Sequence, residues 1–242
     1  MIGKKKILGL VLARKNSKGL KNKNIKKLGN KHLVGWIINA AKKSKYINRI
    51  IVSTESKSYA KIAMKYGAEV PFLRKKKFSE DFTTTEETLK NALSECEKFY
   101  KVKFDICVFL SSTNLFRKVS WIKDAVNILK KNDNLESVFS VHRIYKHFWH
   151  IQNNKLSKVS KWMNSYTSRQ IAPKLFREDT GLASASRATL WRKGKRIGKK
   201  VKLIVNDDSF TGIDIHDKKD LELANFAIKY LIRNKLDKDI IT

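Results

Sequence analysis

A group of cationic and small polar side chains follows directly after a short apolar segment near the start of the chain. The apolar segment, Ile7–Ala13, has the length and composition of a buried parallel strand. The residues after it that could do chemistry are Arg14, Ser17, Lys18, Gly19, Lys23 and Asn24. Cations, hydroxyls and backbone N–H groups at the carboxyl end of such a strand commonly hold phosphate in α/β proteins. The segment therefore predicts a nucleotide-handling enzyme.

The two common glycine-rich phosphate motifs do not occur in this sequence. Neither Gly-x-Gly-x-x-Gly nor Gly-x-x-x-x-Gly-Lys-Ser/Thr is found among its 10 glycines. Phosphate would therefore be held by the charges and hydroxyls of residues 14–24. Because Lys is frequent along the whole chain, a solvated basic loop is the alternative interpretation of this segment.

Apolar runs that alternate with amphipathic stretches predict the elements that must position this loop. The predicted strands are Ile7–Ala13, Arg49–Ser53, Glu69–Leu73, Phe104–Leu110, Ser137–Val141 and Lys200–Val205. The predicted helices are Leu33–Lys43, Ser56–Tyr66, Thr84–Tyr100, Val119–Lys131 and Asp217–Lys235. This order predicts an α/β fold with a three-layer, doubly wound, mostly parallel sheet, in a single domain that covers residues 1–242.

The region from His142 to about Ser168 interrupts this rhythm. It is rich in aromatic side chains, namely Tyr145, Phe148, Trp149, Trp162 and Tyr166. We expect residues 143–168 to form a projecting hairpin that serves as a dimerisation arm, and the protein to be a homodimer. His142, His147 and His150 also lie here, but no Cys or carboxylate stands beside them at ligand spacing, so a packed arm is favoured over a zinc site.

Composition limits the classes of partner. The formal net charge is +31, and Lys supplies 42 of the 53 basic residues, spread along the chain. Base reading and bidentate phosphate clamping favour Arg over Lys, and no nucleic-acid motif is present, so a nucleic-acid partner is not expected. The charge reflects a Lys-rich composition, to which steering of anionic small substrates can add.

The compartment is predicted from the cysteines and the first residues. Cys96 and Cys107 lie in a predicted helix and strand without a metal or redox pattern, which favours core thiols in a reducing compartment. Three lysines and an apolar run at the start imitate a secretory signal, but Arg14 and Lys15 stand where cleavage needs small residues. We expect a cytoplasmic protein without a membrane partner.

The loop sequence Leu12–Asn24 resembles the N-terminal signature of the acylneuraminate cytidylyltransferases, which include the CMP-sialic-acid synthetases and relatives that act on other nonulosonic acids. Later segments resemble this family in the same order: Ile50–Thr54, Tyr66–Arg74, Ser79–Thr85, Arg169–Gln170, Thr180–Gly181 and Ile213–Ala224. The resemblance covers nearly the whole chain. It implies the nucleotide-diphosphosugar transferase type of α/β fold.

The resemblance also implies a reaction. The anomeric hydroxyl of a nine-carbon α-keto acid sugar would attack the α-phosphorus of CTP, giving a CMP-sugar and pyrophosphate, with Mg²⁺ or alternatively Mn²⁺ as cofactor. Catalytic roles would fall to Arg14, Lys23 and Asp214. Nucleotide binding would fall to Ala13, Arg14, Asn16, Ser17, Lys18, Gly19, Lys23, Asn24, Arg74 and Thr85. Sugar binding would fall to Ser111, Thr113, His150, Arg169 and Gln170.

Two departures from the family pattern concern the metal and the sugar. The metal would be held by Asp214, but the second family aspartate is replaced by His216, so His216 or the adjacent Asp217 would complete the site. A turn or helix-capping carboxylate is the alternative interpretation of Asp214. In Leu110–Arg117 the family's sugar-associated Gln is replaced by Ser111. These changes leave open a different keto sugar acid as substrate, or a degenerate homologue that binds nucleotide without turnover.

Overall fold

The computed structural model describes residues 5–236. Its strands are β1 (Ile7–Leu12), β2 (Lys27–Leu28), β3 (Lys31–His32), β4 (Arg49–Ser53), β5 (Ile106–Leu110), β6 (Ser137–Ile144), β7 (Trp149–Gln152), β8 (Lys155–Lys158), β9 (Leu175–Glu178), β10 (Ser184–Arg187) and β11 (Val201–Asn206). Its α-helices are α1 (Leu33–Ser44), α2 (Lys57–Lys65), α3 (Thr85–Tyr100), α4 (Val119–Lys131), α5 (Ala188–Arg192) and α6 (Lys218–Arg233).

The central sheet is mostly parallel, as predicted. Its strand order is β11-β6-β10-β5-β1-β4, and β9 also pairs with β6. Strand β1 is parallel to both neighbours, with Val11 opposite Val52 of β4 and Leu110 of β5. Only β10 and β9 run antiparallel within this sheet. The carboxyl ends of β1 and β5 therefore lie side by side, which brings the loops after them together.

Helices cover both faces of the sheet, which produces the predicted three layers. Alternate residues of β1 enter two separate hydrophobic clusters, because successive strand side chains point to opposite faces. Ile7 and Val11 pack with buried residues of α1, α4 and α6, whereas Leu8 and Leu10 pack with buried residues of α3 and α5. Burial on both faces explains why β1 has an uninterrupted apolar sequence.

The predicted strand Glu69–Leu73 is wrong. Glu69 alone makes an isolated parallel bridge to Ile51, through hydrogen bonds with the backbone of the neighbouring residues of β4. Pro71 lacks an N–H group, so a ladder of hydrogen bonds cannot continue through it. The sequence reading also missed β10, whose Ser-Ala-Ser-Arg sequence has no strand pattern and whose place is set by β5 and β6 on either side.

Two helices that begin near the loops are closed by reciprocal caps. At the start of α3, Thr84 Oγ1 accepts the Glu87 N–H at 3.1 Å and Glu87 Oε2 accepts the Thr84 N–H at 2.8 Å. At the start of α6, Asp217 Oδ1 accepts the Asp220 N–H at 3.0 Å and Asp220 Oδ2 accepts the Asp217 N–H at 3.1 Å. Each cap satisfies N–H groups that the first helical turn leaves unpaired.

A hairpin projects between β6 and β9. Its strands β7 and β8 pair with each other, with Trp149 opposite Lys158 and Ile151 opposite Leu156. Asn153 and Asn154 connect them with φ angles of 50° and 56°, as a tight hairpin turn requires. Side chains on both strands are exposed. The predicted hairpin is thus present, and its role in dimerisation stays a prediction.

The remaining expectations about burial concern cysteines and membranes. Cys96 and Cys107 are both buried and neither forms a disulfide, in agreement with core thiols. Burial raises the pKa of the Cys96 thiol to about 12. Between residues 5 and 236 there is no helix with the length and apolar character needed to cross a membrane.

Candidate active site

A cavity of about 520 Å³ opens where the loops after β1 and β5 meet the start of α3. Eight of the residues predicted to bind nucleotide line it: Arg14, Ser17, Lys18, Gly19, Lys23, Asn24, Arg74 and Thr85. Ala13 and Asn16 do not line it, because Ala13 is buried beneath the loop and Asn16 is exposed outside it. The structure therefore brings together residues that are up to 71 positions apart in the chain.

Asn24 ties the loop after β1 to the loop after β5. Its Nδ2 donates to the carbonyl oxygen of Arg14 at 2.8 Å, and its Oδ1 accepts the hydroxyl of Ser112. The side chain is buried. Residues 14–24, which are predicted to hold phosphate, are called the phosphate loop below. Asn24 thus shapes the phosphate loop through contacts within the protein.

Gly19 permits a close approach between the phosphate loop and the segment before α6. A Cβ atom at this position would lie 2.5 Å from the carbonyl oxygen of His216. Any side chain would push these two segments apart, so glycine is required by packing here. The approach brings the loop cations beside Asp214 and His216.

Asp81 is the acidic residue that balances the loop cations, and the sequence reading missed it. Its Oδ1 lies 3.1 Å from Arg14 Nη1, and its Oδ2 lies 2.9 Å from Lys18 Nζ. The hydrogen bond from Lys18 has the largest effect and lowers the pKa of Asp81; burial, the next in size, raises it, and the charges of Lys18 and Arg14 lower it further. A carboxylate therefore stands where the loop would otherwise present two cations to an anion.

Among the cations of the loop after β1, Lys23 is the one whose charged form is disfavoured by burial. Burial lowers its pKa, the carboxylate of Asp214 partly opposes this effect, and the nearby charge of Arg14 adds to it. A phosphate group at this position would raise the pKa of Lys23 again, since an opposite charge within a few ångströms favours protonation of lysine.

Arg74 belongs to the wall of the cavity. Its Nε donates to Ser79 Oγ at 2.9 Å and its Nη2 to Glu55 Oε2 at 3.1 Å. The side chain is only 3% exposed. The other oxygen of Glu55 accepts the N–H of Lys15 at 2.6 Å. Burial alone would raise the pKa of Glu55, but the Lys15 N–H and the Arg74 guanidinium lower it. Because Glu55 accepts hydrogen bonds from both groups, it links Arg74 to the phosphate loop.

Asp214 has one carboxylate oxygen that no protein group satisfies. Its Oδ1 is buried without a hydrogen-bond partner in the described part of the chain, and its Oδ2 lies 3.1 Å from His216 Nε2. Asp217 is engaged in the cap of α6. Within residues 5–236 no three His, Cys, Asp or Glu side chains form a metal-binding group. A buried, unpaired carboxylate oxygen fits one ligand of a cation that otherwise takes phosphate oxygens and water, as Mg²⁺ does.

A second cavity, of about 410 Å³, adjoins the first and shares Phe109, Ser111 and Thr113 with it. The charged residues that line it are Arg177, Glu178, Asp179, Arg196 and Asp214. Asp214 thus lies in the second cavity, whereas its neighbour His216 lines the first. The two cavities meet at the loop after β5.

The second cavity contains two arginines that sequence reasoning missed. Nε and Nη2 of Arg177 donate to the two oxygens of Asp179 at 2.8 and 2.9 Å. Arg196 Nη2 lies 3.2 Å from Glu178 Oε1, and its guanidinium lies 5.7 Å from the ring centre of Phe109. The only sequence signal for this region is the adjacent Thr180–Gly181 segment.

The predicted sugar-binding residues lie in three separate parts of the structure: the two joined cavities, the hairpin and a surface pocket. Ser111 and Thr113 line both cavities. His150 lies on the exposed hairpin, where its Nε2 is 2.7 Å from Ser157 Oγ. Arg169 and Gln170 line a separate surface pocket of about 360 Å³ at the base of the arm. Within one chain, His150, Arg169 and Gln170 are therefore apart from the two joined cavities.

Comparisons with known proteins identify the family of this chain. The cytidylyltransferase family model matches residues 8–226. Post-translational flagellin modification protein B of Campylobacter coli is 31% identical over 226 residues, covering 92% of this chain and 95% of that protein. CMP-N,N'-diacetyllegionaminic acid synthase of Campylobacter jejuni subsp. jejuni is 32% identical over 236 residues, covering 96% of this chain and 98% of that protein.

Solved structures provide an independent comparison of the fold. A CMP:2-keto-3-deoxy-manno-octonic acid synthetase complexed with CTP superposes with a TM-score of 0.68 at 12% identity, over 93% of this chain and 99% of that chain. At this identity the likeness concerns the fold alone. The sequence match extends over nine-tenths of the chain and includes the phosphate loop, so the protein belongs to the cytidylyltransferase family.

Proposed function

We propose that this cytidylyltransferase transfers CMP from CTP to the anomeric hydroxyl of a nonulosonic acid and releases pyrophosphate. The observation that carries the proposal is the junction of a cation-lined cavity with a second polar cavity at the loop Ser111–Asn114, beside Asp214. Two reacting molecules held in adjoining cavities react as if in one molecule, which removes much of the entropic barrier. The relative named CMP-N,N'-diacetyllegionaminic acid synthase supports this class of sugar acid.

The first cavity would hold the triphosphate. Arg14, Lys18 and Lys23 would meet the phosphate oxygens, on which negative charge builds during phosphoryl chemistry. Asp81 would release the first two of these cations when the triphosphate enters, because both anions would compete for them. Arg74 would keep the wall in place.

Asp214 would hold Mg²⁺, or alternatively Mn²⁺, through its unpaired buried oxygen. Such an ion would neutralise charge on the phosphate oxygens. His216 lies against the same carboxylate and lines the nucleotide cavity, which supports it over Asp217 as the neighbour of the ion.

The sugar acid would bind in the second cavity. Arg177 and Arg196 would offer cationic groups to its carboxylate, and the hydroxyls of Ser111 and Thr113 would face its polar edge. Both arginines already pair with acids, so the substrate carboxylate would exchange with these partners. This arrangement reassigns the sugar contacts largely to residues outside the family motif.

We also propose that the protein is a cytoplasmic homodimer that forms through its projecting hairpin. The facing pair Ile151 and Leu156 is 74% and 64% exposed, which is unusual for apolar side chains on an isolated two-stranded hairpin. A second copy would cover this surface. It would also allow His150, Arg169 and Gln170 to approach a cavity of the other chain.

The test is pyrophosphate release from CTP with a panel of sialic, legionaminic, pseudaminic and keto-octonic acids, in Mg²⁺ or Mn²⁺. Release with one or more nonulosonic acids is expected. Release only with the eight-carbon acid would assign a different keto sugar acid as substrate. No release with any acid, together with CTP binding by calorimetry, would instead identify a degenerate homologue, for which the replacements Ser111 and His216 are the sequence evidence.

A further inference from the structure

Arg117 is an arginine buried in the protein without an acidic partner. It is 1% exposed, and within residues 5–236 its guanidinium is hydrogen-bonded only to backbone carbonyl oxygens. Burial lowers its pKa to about 9. An uncompensated buried cation destabilises a fold by several kcal/mol unless polar groups surround it. The position therefore calls for an explanation in terms of the groups that it contacts.

The contacts of Arg117 are backbone carbonyl groups. Its Nη2 donates to the carbonyl oxygens of Ser111 and Asn114, which lie in the loop after β5 a few residues before Arg117 itself. Its Nε and Nη1 have no partner in the described part of the chain. Two carbonyl groups turned towards one cation leave the side chains of the same loop free to point the other way, towards the cavities.

This loop connects three parts of the site. The Ser111 N–H donates to the carbonyl of Gly181 at 2.8 Å, beside the second cavity. The Ile215 N–H donates to the carbonyl of Thr113 at 3.1 Å, and Asn114 forms a β-bridge with Asp214. Displacement of the loop would therefore move both the shared wall and the segment that carries Asp214.

We propose that Arg117 is a positioning residue that turns the Ser111 and Asn114 carbonyls inwards, and so sets the shared wall of the two cavities and the place of Asp214. The kinetic consequence of this inference rests on the proposed function. The structural consequence does not, because it concerns how firmly the loop is held.

The matched control is Arg187, which also donates to backbone carbonyls but lies outside both cavities. Its Nε donates to the carbonyl of Leu135 at 3.1 Å, and its Nη2 to those of Leu129 and Asn132 at 2.7 and 2.8 Å. Arg187→Met thus removes a carbonyl-binding arginine without touching the site. It corrects for the general loss of stability that any such substitution causes.

The first measurement is hydrogen–deuterium exchange at the Ser111 and Ile215 amides, normalised to core amides of β1. Arg117→Met is expected to speed exchange at both amides about tenfold, the size expected when hydrogen bonds from a charged donor are lost. Arg117→Lys, which keeps a donor, is expected to restore most of the protection. Wild-type exchange in Arg117→Met, or equal effects in Arg187→Met, would overturn the proposal.

The second measurement is the kinetics of the same variants. Arg117→Met is expected to lower kcat about tenfold or more, because the hydrogen-bond donor is lost. Arg117→Lys is expected to keep kcat within about threefold of the wild-type value, because Lys and Arg differ only in the geometry of their donors. Equal rates in the Lys and Met variants would reject positioning through hydrogen bonds. If Arg117→Met does not fold, Arg117→Lys tests the proposal by itself, since wild-type exchange and a greatly reduced kcat together would contradict it. Absence of turnover in the wild-type protein would reject the proposed function and leave the exchange result valid.

Discussion

At the residue scale, the phosphate loop combines strong cations with one carboxylate that competes for them. Arg14 and Lys18 share Asp81, whereas Lys23 faces Asp214 and is partly buried. Exposed ion pairs of this kind stabilise a fold little. Little free energy is therefore needed for a triphosphate to replace Asp81 as the partner of Arg14 and Lys18. Since only Arg14 and Lys18 share this carboxylate, they and Lys23 are expected to contribute unequally to binding and turnover.

Arg14→Ala is expected to abolish turnover with the fold intact. The substitution removes a guanidinium from the cavity, and loss of one such group typically reduces kcat about 100-fold or more. The measurement is pyrophosphate release alongside thermal unfolding. Lys15→Ala is the control, because Lys15 carries the same charge one position away and does not line the cavity. Wild-type rates in Arg14→Ala would refute the assignment of the loop.

The affinity for CTP is expected to fall at high pH earlier than an ordinary lysine would allow. Burial lowers the Lys23 pKa from 10.5, so this side chain loses its proton, and with it the attraction for phosphate, as pH rises through the lowered pKa. Calorimetric Kd values at several pH values above neutrality measure the effect. In Lys23→Arg the guanidinium stays protonated, and the alkaline loss is expected to move to higher pH. Superimposable pH profiles would exclude Lys23 as the titrating group.

At the element scale, the loops after β1 and β5 form the site because their strands are adjacent and parallel, and α3 closes one side. The segment Ser79–Thr83, just before α3, brings Asp81 over the phosphate loop. Ser79 is hydrogen-bonded to Arg74 and Glu55, whereas the Asp81 ion pairs join this segment to the loop after β1.

Asp81→Asn is expected to strengthen CTP binding. Without this carboxylate, CTP does not have to displace an anion that is already paired with Arg14 and Lys18. Because two exposed ion pairs no longer have to be broken, the Kd for CTP is expected to decrease about three- to tenfold. Calorimetry with CTP measures this change. Glu80→Gln removes the same charge from the neighbouring residue, which makes no ion pair within residues 5–236, and is expected to have a smaller effect. Weaker binding by Asp81→Asn would show that Asp81 assists the bound nucleotide.

At the scale of the whole molecule, a net charge of +31 surrounds the cavities that we propose bind two anionic substrates. Such a field raises the encounter rate with anionic substrates and also opposes association of two copies. A dimer therefore needs an apolar surface that outweighs this repulsion. The exposed side chains of β7 and β8 offer one, since Ile151 and Leu156 stand side by side on the hairpin.

The double substitution Ile151→Lys and Leu156→Lys is expected to convert the proposed dimer to a monomer, because it places two charges where apolar side chains would be buried between copies. Light scattering coupled to gel filtration measures the mass. The control is Leu223→Lys with Phe226→Lys, which charges another exposed apolar surface, on α6. A wild-type protein that is monomeric, or a hairpin variant that remains dimeric, would contradict the proposed interface.

Local patterns predicted most of the elements, because burial on a strand or helix repeats within a few residues. The bounds of β4 and α4 agree with the predicted ones at both ends. The incorrect strand Glu69–Leu73 and the missed strand Ser184–Arg187 show the limit of such patterns. The place of Ser184–Arg187 depends on β5 and β6, which are distant in sequence, whereas Glu69–Leu73 stops at one bridge because Pro71 cannot continue the ladder of hydrogen bonds.

The sequence by itself predicted the cationic loop after β1 that lines the first cavity, since a buried strand and the charged residues directly after it are adjacent along the chain. It also determined the family, through motifs that occur in a constant order. Only the tertiary structure decided how those charges are balanced and which residues line the second cavity, where we propose that the sugar acid binds. Asp81 and Asp214 reach the loop from 67 and 200 residues after Arg14, and Arg177 and Arg196 form a cavity that no local pattern signals. The physical reason is that parallel strands gather their carboxyl ends at one edge, so side chains meet there according to strand order in the sheet and not according to their distance along the chain.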